Sequence, residues 1–172
     1  MACPAHFSRS DPSGCNALDQ MEEILTPLTL GHLALWADRE SCIVPLNYTY
    51  VKGEILLHCA LGGKKLDVIH ENPNVCFEVS EQSGEVTAHA GEGCSQGFES
   101  AICWGTAQYI DDIEERAAPL TAFQRRYETG DRHRRRTSRE RAAKCGAVAI
   151  AVRKMTGRRR ADKECEQWQW EQ

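Results

Sequence analysis

The sequence predicts an α+β fold that is mainly β, a small barrel of strands with flanking helices. The 172-residue chain has the size of one domain. Short runs rich in β-branched and aromatic residues alternate with three helical patterns, and a two-residue turn signal at Lys52-Gly53 joins two of these runs into an antiparallel hairpin. Runs of strands broken by a few helices are typical of a small α+β barrel.

The first elements are a helix and two strands. Residues 1–15 contain Pro and Ser without apolar periodicity, and we expect a flexible arm there. A helix that ends between Pro27 and Gly31 is then predicted by apolar residues at i, i+3, i+4 and i+7, namely Met21, Ile24, Leu25 and Leu28. Strands are predicted over His32–Trp36 and Cys42–Tyr50, and the hairpin continues over Glu54–Cys59.

The later elements follow from the same signals. A glycine loop precedes a short helix over Lys64–Glu71, which ends ahead of Pro73. Three more strands are predicted at Val75–Ser80, Ala101–Ile110 and Ala147–Met155. One more helix is predicted over Ile113–Tyr127, with Ile113, Ala117, Leu120 and Phe123 facing inward. The domain is expected to span residues 16–160, and residues 161–172 to form a polar tail.

Composition restricts the class of protein. The chain has nine cysteines without a C-x-x-C pair, which disfavours a zinc ribbon, and we expect free thiols and no metal site. It contains no apolar stretch of about 20 residues and begins without a basic and apolar leader. A soluble cytoplasmic protein, with no membrane contact, is expected.

Eight arginines lie between Arg125 and Arg141, although the net charge of the whole chain is −4. Such a cluster could contact a nucleic acid, or it could be a solvated or interfacial loop. The acidic total and the absence of a nucleic-acid motif make a nucleic acid an unlikely partner. Trp168 and Trp170 could pack on a partner subunit or over the ligand, or lie in a disordered tail.

One predicted strand contains Pro45, which removes a backbone donor and is usually tolerated only at an edge or a bulge. Something other than a neighbouring strand could therefore face it. A planar cofactor would suit this position, with apolar walls from Val44, Leu46 and Tyr48. An edge strand with nothing bound is the alternative.

The hairpin then leads through His58, Cys59 and Ala60 into the loop Leu61–Lys65. Glycines allow close approach of an anion, the following helix points its positive end there, and Lys64 and Lys65 add charge. The loop suits a terminal phosphate but lacks the P-loop spacing. His58 could hydrogen-bond a flavin or a substrate, ligate haem iron, or be a half-buried sheet residue.

Several blocks, taken in order, resemble those of the pyridoxamine 5'-phosphate oxidase-like flavoproteins, and most closely the nitroimidazole-resistance (Nim-type) proteins. The resemblance runs from about Met21 to Arg160. Its blocks are Gly31–Leu35, Val44–Tyr48, Leu57–Ala60, Gly63–Leu66, Asn72–Val79 and Met155–Arg158.

The resemblance implies a split β-barrel homodimer that binds FMN at the subunit interface. In this family the flavin ring is held by a strand pair and the phosphate by a basic loop. Carried over, the cofactor-binding residues are Val44, Pro45, Leu46, Asn47, Tyr48, His58, Cys59, Ala60, Lys64 and Lys65, with Ser100 and Ile102 in a later block near the cofactor or the dimer interface. The Leu61-Gly62-Gly63 loop and the arginine-rich stretch depart from the family pattern.

The function implied is that of an FMN-dependent oxidoreductase acting on a small electron-poor acceptor such as a nitro compound. His58 is the candidate catalytic residue, because its ordinary pKa lets it donate a proton near neutral pH. The electron donor is unidentified, since the chain lacks a nicotinamide-binding fingerprint. The alternative is a non-catalytic flavin- or haem-binding carrier or sensor.

Overall fold

A computed structural model describes residues 17–37, 39–86, 95–127, 136–160 and 165–172. The helices are α1 (Ala17–Leu25), α2 (Lys64–Glu71), α3 (Ile113–Tyr127) and α4 (Arg139–Ala142). The strands are β1 (Leu30–Ala37), β2 (Glu40–Val51), β3 (Glu54–Cys59), β4 (Asn74–Val86), β5 (Ser95–Tyr109), β6 (Gly146–Arg160) and β7 (Glu166–Glu171). None of the helices within these ranges has the length and apolar character needed to cross a bilayer.

The strands form one antiparallel sheet in the order β3-β2-β1-β4-β5-β6-β7. β3 also pairs with β6, which closes six strands into a ring and leaves β7 attached to the second half of β6. The chain therefore has the predicted mainly β barrel fold, and the ring is consistent with a split barrel.

Within this ring, β2 and β3 pair over only part of their length and then diverge. Their ladder runs from Val51↔Glu54 to Tyr48↔Leu57 and stops there. Beyond that point β2 pairs with β1 alone among the described residues, while β3 continues along β6 to the pair Cys59↔Gly146. We call this divergence the seam.

The hydrophobic core inside the ring combines side chains of α1 with side chains of the strands. Met21, Ile24 and Leu25 of α1 are fully buried, which confirms the predicted amphipathic helix. Tyr48 and Phe77 meet edge to face inside the barrel, with ring centroids 5.0 Å apart. The predicted strands and helices are all present, and α2 and α3 lie at their predicted bounds. α1 ends at Leu25, ahead of the predicted end between Pro27 and Gly31, and β6 continues past Met155 to Arg160.

The predicted polar tail at residues 161–172 is wrong for its described part. Glu166–Glu171 forms β7 and pairs with β6 from Arg159 to Lys154. The Trp168 and Trp170 side chains are half-buried against the core, so these tryptophans belong to the domain. The predicted arm at residues 1–15 lies outside the described residues.

Two further boundaries differ from prediction. β4 extends to Val86 and β5 begins at Ser95, although both extensions are polar. The two extensions pair with each other, from Ser80↔Ser100 to Val86↔Ser95, and this pairing explains both. Pairing between these two consecutive strands supplies hydrogen bonds that a local apolar pattern does not report.

Candidate functional site

The seam exposes one side of β2. Pro45 and Asn47 are exposed, and Val44 and Leu46 are half-buried against the core. Pro45 faces His32 of β1 across the ladder. The prediction that no strand faces the other side of this segment is confirmed among the described residues, because the β2–β3 ladder ends at Tyr48. The backbone of β2 is thus available to a bound molecule here.

The structure places the Tyr48 side chain differently from its predicted role as a pocket wall. The ring is fully buried, and its hydroxyl donates to the carbonyl of Leu25 at 2.6 Å. Burial raises the pKa of this phenol well above its ordinary value. Only the backbone of Tyr48 lies at the seam, because its carbonyl accepts a hydrogen bond from the Tyr127 hydroxyl at 2.6 Å.

His58 lies at the end of β3 and contacts α3. Its ring meets Phe123 edge to face with centroids 4.3 Å apart, and Phe123 stacks on Tyr127 at 4.5 Å. Burial, followed by the nearby Lys65 ammonium, lowers the pKa of His58 below its ordinary value of 6.5. The imidazole is therefore held mainly in its neutral form at neutral pH.

The last turn of α3 bridges the seam. Besides Tyr48, the Tyr127 hydroxyl lies 3.0 Å from the carbonyl of Thr29, which also accepts from the Asn47 side-chain amide at 3.0 Å. Arg126 stacks over the rings of Tyr48 and Tyr127 and donates to the carbonyl of Leu28. One wall of the site is thus built from α3.

The N-terminus of α2 follows β3 through a short loop, and its Lys65 lies near enough to His58 to affect the pKa of that imidazole. Its first residue follows Gly63, whose φ of 120° favours glycine and whose position supplies no side-chain cap. A Cβ added at Gly62 or Gly63 would meet nothing within 4 Å. Lys64 is exposed and Lys65 is half-buried. Uncapped amides, the helix dipole and two ammonium groups make this end suited to an anion.

Cys59 and Ala60 connect His58 to this loop. Burial raises the pKa of the Cys59 thiol, an effect that Lys65 partly offsets and Cys145 reinforces. Cys145 donates to the carbonyl of Cys59 at 3.6 Å. Cys59 is half-buried and Ala60 is exposed. Because its pKa is raised, the Cys59 thiol is protonated at neutral pH.

Ser100 and Ile102 are on β5, farther from the loop. The register aligns Ile102 with Glu78, Glu78 with His32, and His32 with Pro45. Three strand spacings separate Ile102 from Pro45, about 14 Å at ~4.8 Å each. These residues share the outer face of the sheet, and the structure does not bring Ser100 and Ile102 to the lysine loop.

Sequence reasoning did not assign His32, Glu78 and Tyr127 to the site. His32 Nδ1 lies 3.0 Å from Glu78 Oε2 on the outer face, between Pro45 and Ile102. The pair joins residues 46 positions apart, so no local pattern could report it. Tyr127 ends a helix whose apolar spacing was visible, but its hydrogen bond to β2 depends on tertiary packing.

Three described members of the arginine cluster, Arg126, Arg139 and Arg141, contact the protein itself. Arg139 pairs with Glu114 at 2.7 Å, and Arg141 lies 3.5 Å from Gln124 Oε1. Arg132, Arg134 and Arg135 lie outside the described residues.

Comparison with known proteins gives a consistent result. The family model for pyridoxamine 5'-phosphate oxidase matches residues 18–159. No curated protein matches the chain. A solved structure from Bacteroides thetaiotaomicron, described as a 5-nitroimidazole antibiotic resistance protein, is 25% identical with a TM-score of 0.71, and 81% of each chain is covered.

Two further solved structures share the fold. A FAD and haem binding protein from Mycobacterium smegmatis is 24% identical with a TM-score of 0.69, covering 78% of this chain and 65% of that one. A flavocytochrome from Azotobacter vinelandii is 17% identical with a TM-score of 0.72, covering 90% of this chain and 78% of that one. Since the family model covers most of its length, the chain belongs to the pyridoxamine 5'-phosphate oxidase family.

Proposed function

We propose that this protein binds FMN at the seam and uses it to reduce a small electron-poor acceptor such as a nitro compound. The observation that carries the proposal is the combination of three features: the one-sided segment of β2, His58 at the end of β3, and the uncapped N-terminus of α2. Family membership, and the solved relatives described as binding FAD, support the choice of a flavin.

The residues present fit such a group. Val44–Asn47 would offer backbone donors and acceptors to the edge of a planar ring, and the half-buried Val44 and Leu46 would lie against it. Lys64, Lys65 and the first amides of α2 would bind a terminal phosphate. FMN carries its phosphate at the end of a short chain, so one molecule would join a ring site on β2 to an anion site at the start of α2.

When bound, the flavin would carry electrons between a donor and the acceptor. His58 would hold the proton that the reduced acceptor requires, at its imidazole nitrogen. Phe123 would fix the orientation of that ring, since the two rings are in edge contact. Because the pKa of His58 is lowered, its imidazolium form would be a stronger acid than an unperturbed imidazolium but a minor species at neutral pH.

We further propose that two copies assemble with the cofactor between them. Leu30, Trp36 and Ile43 are 52%, 53% and 65% exposed, and the β1–β2 register puts all three on the outer face of the sheet. Apolar side chains grouped on one face are typical of a surface that a partner covers. A homodimer through this face would place the second copy beside Pro45 and His32.

The turnover experiment uses the purified full chain loaded with FMN, reduced nicotinamide as donor and a nitroaromatic acceptor. Wild type is expected to consume the donor, and His58→Gln to lose at least tenfold in turnover while retaining FMN. Full activity in His58→Gln would remove His58 from the reaction. Bound flavin without turnover with any acceptor would favour the carrier or sensor alternative. An absorption spectrum of bound haem would contradict the choice of flavin as the cofactor.

A further inference from the structure

A histidine and a glutamate form a pair on the outer face of β1 and β4. His32 Nδ1 lies 3.0 Å from Glu78 Oε2, and the two residues are directly opposite each other in the β1–β4 ladder. Their side chains are 43% and 32% exposed, so solvent reaches both. In a single copy of the chain the pair is therefore a surface contact, which contributes little to stability.

Apolar side chains surround this pair on the same face. They come from three strands and are Leu30, Trp36, Ile43, Pro45 and Ile102. The register places the pair between Pro45 and Ile102. A partner that covers these apolar side chains would therefore also cover the pair and remove it from water.

The described elements around the pair bring no cation close to it. The residues opposite the pair on β2 and β5 are a proline and an isoleucine. On β4, burial and then the Glu78 carboxylate raise the pKa of the Cys76 thiol, which is therefore neutral at neutral pH. The buried side chains of α1 and α2 join the core together with Leu33, so these helices pack on the opposite face of the sheet from His32. Lys154 of β6 lies over the Trp104 ring.

Protonation of the imidazole decides the net charge that covering this face would bury. A histidine side chain changes its charge between pH 5 and pH 8. When His32 is protonated the pair is neutral as a whole, whereas a neutral His32 leaves the Glu78 carboxylate without a cation. Burying an uncompensated carboxylate is costly, and a two-fold interface would contain two of them.

We propose that the His32–Glu78 pair couples the association of two copies, through the outer face of β1 and β2, to the binding of protons. The partner is a second copy because a protonated pair adds no net charge to an apolar face, which then meets itself without repulsion. A process that takes up protons becomes more favourable as the pH falls, so the dimer is favoured at acidic pH. The inference rests on the proposed assembly of two copies and not on the flavin chemistry.

The test measures the dissociation constant of the dimer by sedimentation of the full chain at pH 6, 7 and 8 and one ionic strength. For wild type it should increase about tenfold or more between pH 6 and pH 8, since association takes up to about one proton per copy. Glu78→Gln has no carboxylate to neutralise, and it should dimerise at pH 8 about as tightly as wild type at pH 6. His32→Gln should dimerise weakly at every pH, because the carboxylate has no cation.

The matched control is His70→Gln, which removes an exposed histidine of α2 and should keep the wild-type pH dependence. Circular dichroism verifies that each variant is folded. The same dissociation constant at pH 6 and pH 8 in wild type, or a pH dependence that persists in both pair variants, would overturn the coupling.

The outcomes also separate this inference from the proposed function. A dimer that is insensitive to pH removes the coupling alone, whereas a monomer at every pH removes the proposed dimer as well. An FMN titration of the same samples reports on the flavin site, and FMN binding together with pH-insensitive association would leave the flavin function in place.

Discussion

His58 illustrates how burial and one neighbouring charge tune a single side chain. Partial burial and Lys65 both disfavour the imidazolium, so its pKa lies below 6.5 in the folded protein. In the unfolded chain the pKa returns to its ordinary value. The neutral ring thus stabilises the fold at pH values above 6.5, and this contribution is lost as the pH falls from 6.5 through the lowered folded value.

The first prediction concerns this pKa. An NMR titration of His58 in wild type should give a value below 6.5, and Lys65→Gln should raise it because the second cause of the shift is removed. Lys64→Gln is the control, since Lys64 does not contribute to the shift. An unchanged value in Lys65→Gln would mean that burial alone acts on His58. Turnover that depends on the imidazolium should decline as the pH rises past the measured value.

Arg116 carries a second prediction. Its guanidinium is 5% exposed and donates to the carbonyls of Ile110, Asp111, Ala142 and Cys145. Arg116→Met should lower the free energy of unfolding by about 2 to 4 kcal/mol, because buried carbonyls lose their donors. Arg125→Met, an exposed arginine of the same helix, should change it by less than about 0.5 kcal/mol. Urea denaturation measures both, and similar values for the two variants would contradict the account.

At the scale of elements, the packing of β1 beside β4 depends on Gly31, which has no side chain. A Cβ on Gly31 would lie 2.1 Å from Cζ of Phe77, a ring that is fully buried. Gly31 therefore marks a close approach rather than a flexible point.

Gly31→Ala should destabilise the protein by about 1 to 3 kcal/mol through overpacking, measured by chemical denaturation. Gly62→Ala is the matched control, because an added Cβ there meets open space. Equal stability of Gly31→Ala and wild type would show that the Phe77 ring can move aside.

Local patterns predicted the elements that have a clear period. α2 and α3 were found at their bounds because both have apolar helical spacing, and α2 is also marked by the glycine loop before it and by Pro73 after it. β7 was missed because its composition is polar and its stability comes from pairing with β6 and from Trp168 packing near Gly157 and Met21. Those contacts join both ends of the chain, and sequence spacing contains no signal for them.

The same distinction applies to the site. Pro45, His58 and the lysine loop could be found from residue chemistry, because each departs from its local pattern. The burial of Tyr48 and the contact of Phe123 with His58 could not be predicted, since they depend on where α3 crosses the barrel.

At the scale of the whole molecule, the outer face of β1 and β2 carries the exposed apolar side chains of Leu30, Trp36 and Ile43. If two copies associate there, Ile43→Glu should shift the protein from dimer to monomer in sedimentation analysis, because a charge would be buried at the interface. Val51→Glu is the control, since Val51 is exposed at the hairpin end of β2. A dimer that persists in Ile43→Glu would place the interface elsewhere.

The central claim, a phosphorylated flavin bound between β2 and α2, is tested most directly by comparing FMN with riboflavin, which lacks the phosphate. Fluorescence titration should show wild type binding FMN at least tenfold more tightly than riboflavin. The double variant Lys64→Gln with Lys65→Gln should lose that preference while its affinity for riboflavin is unchanged, and Lys52→Gln should keep it. Equal affinity of wild type for the two flavins, or a preference that survives in the double variant, would contradict the claim.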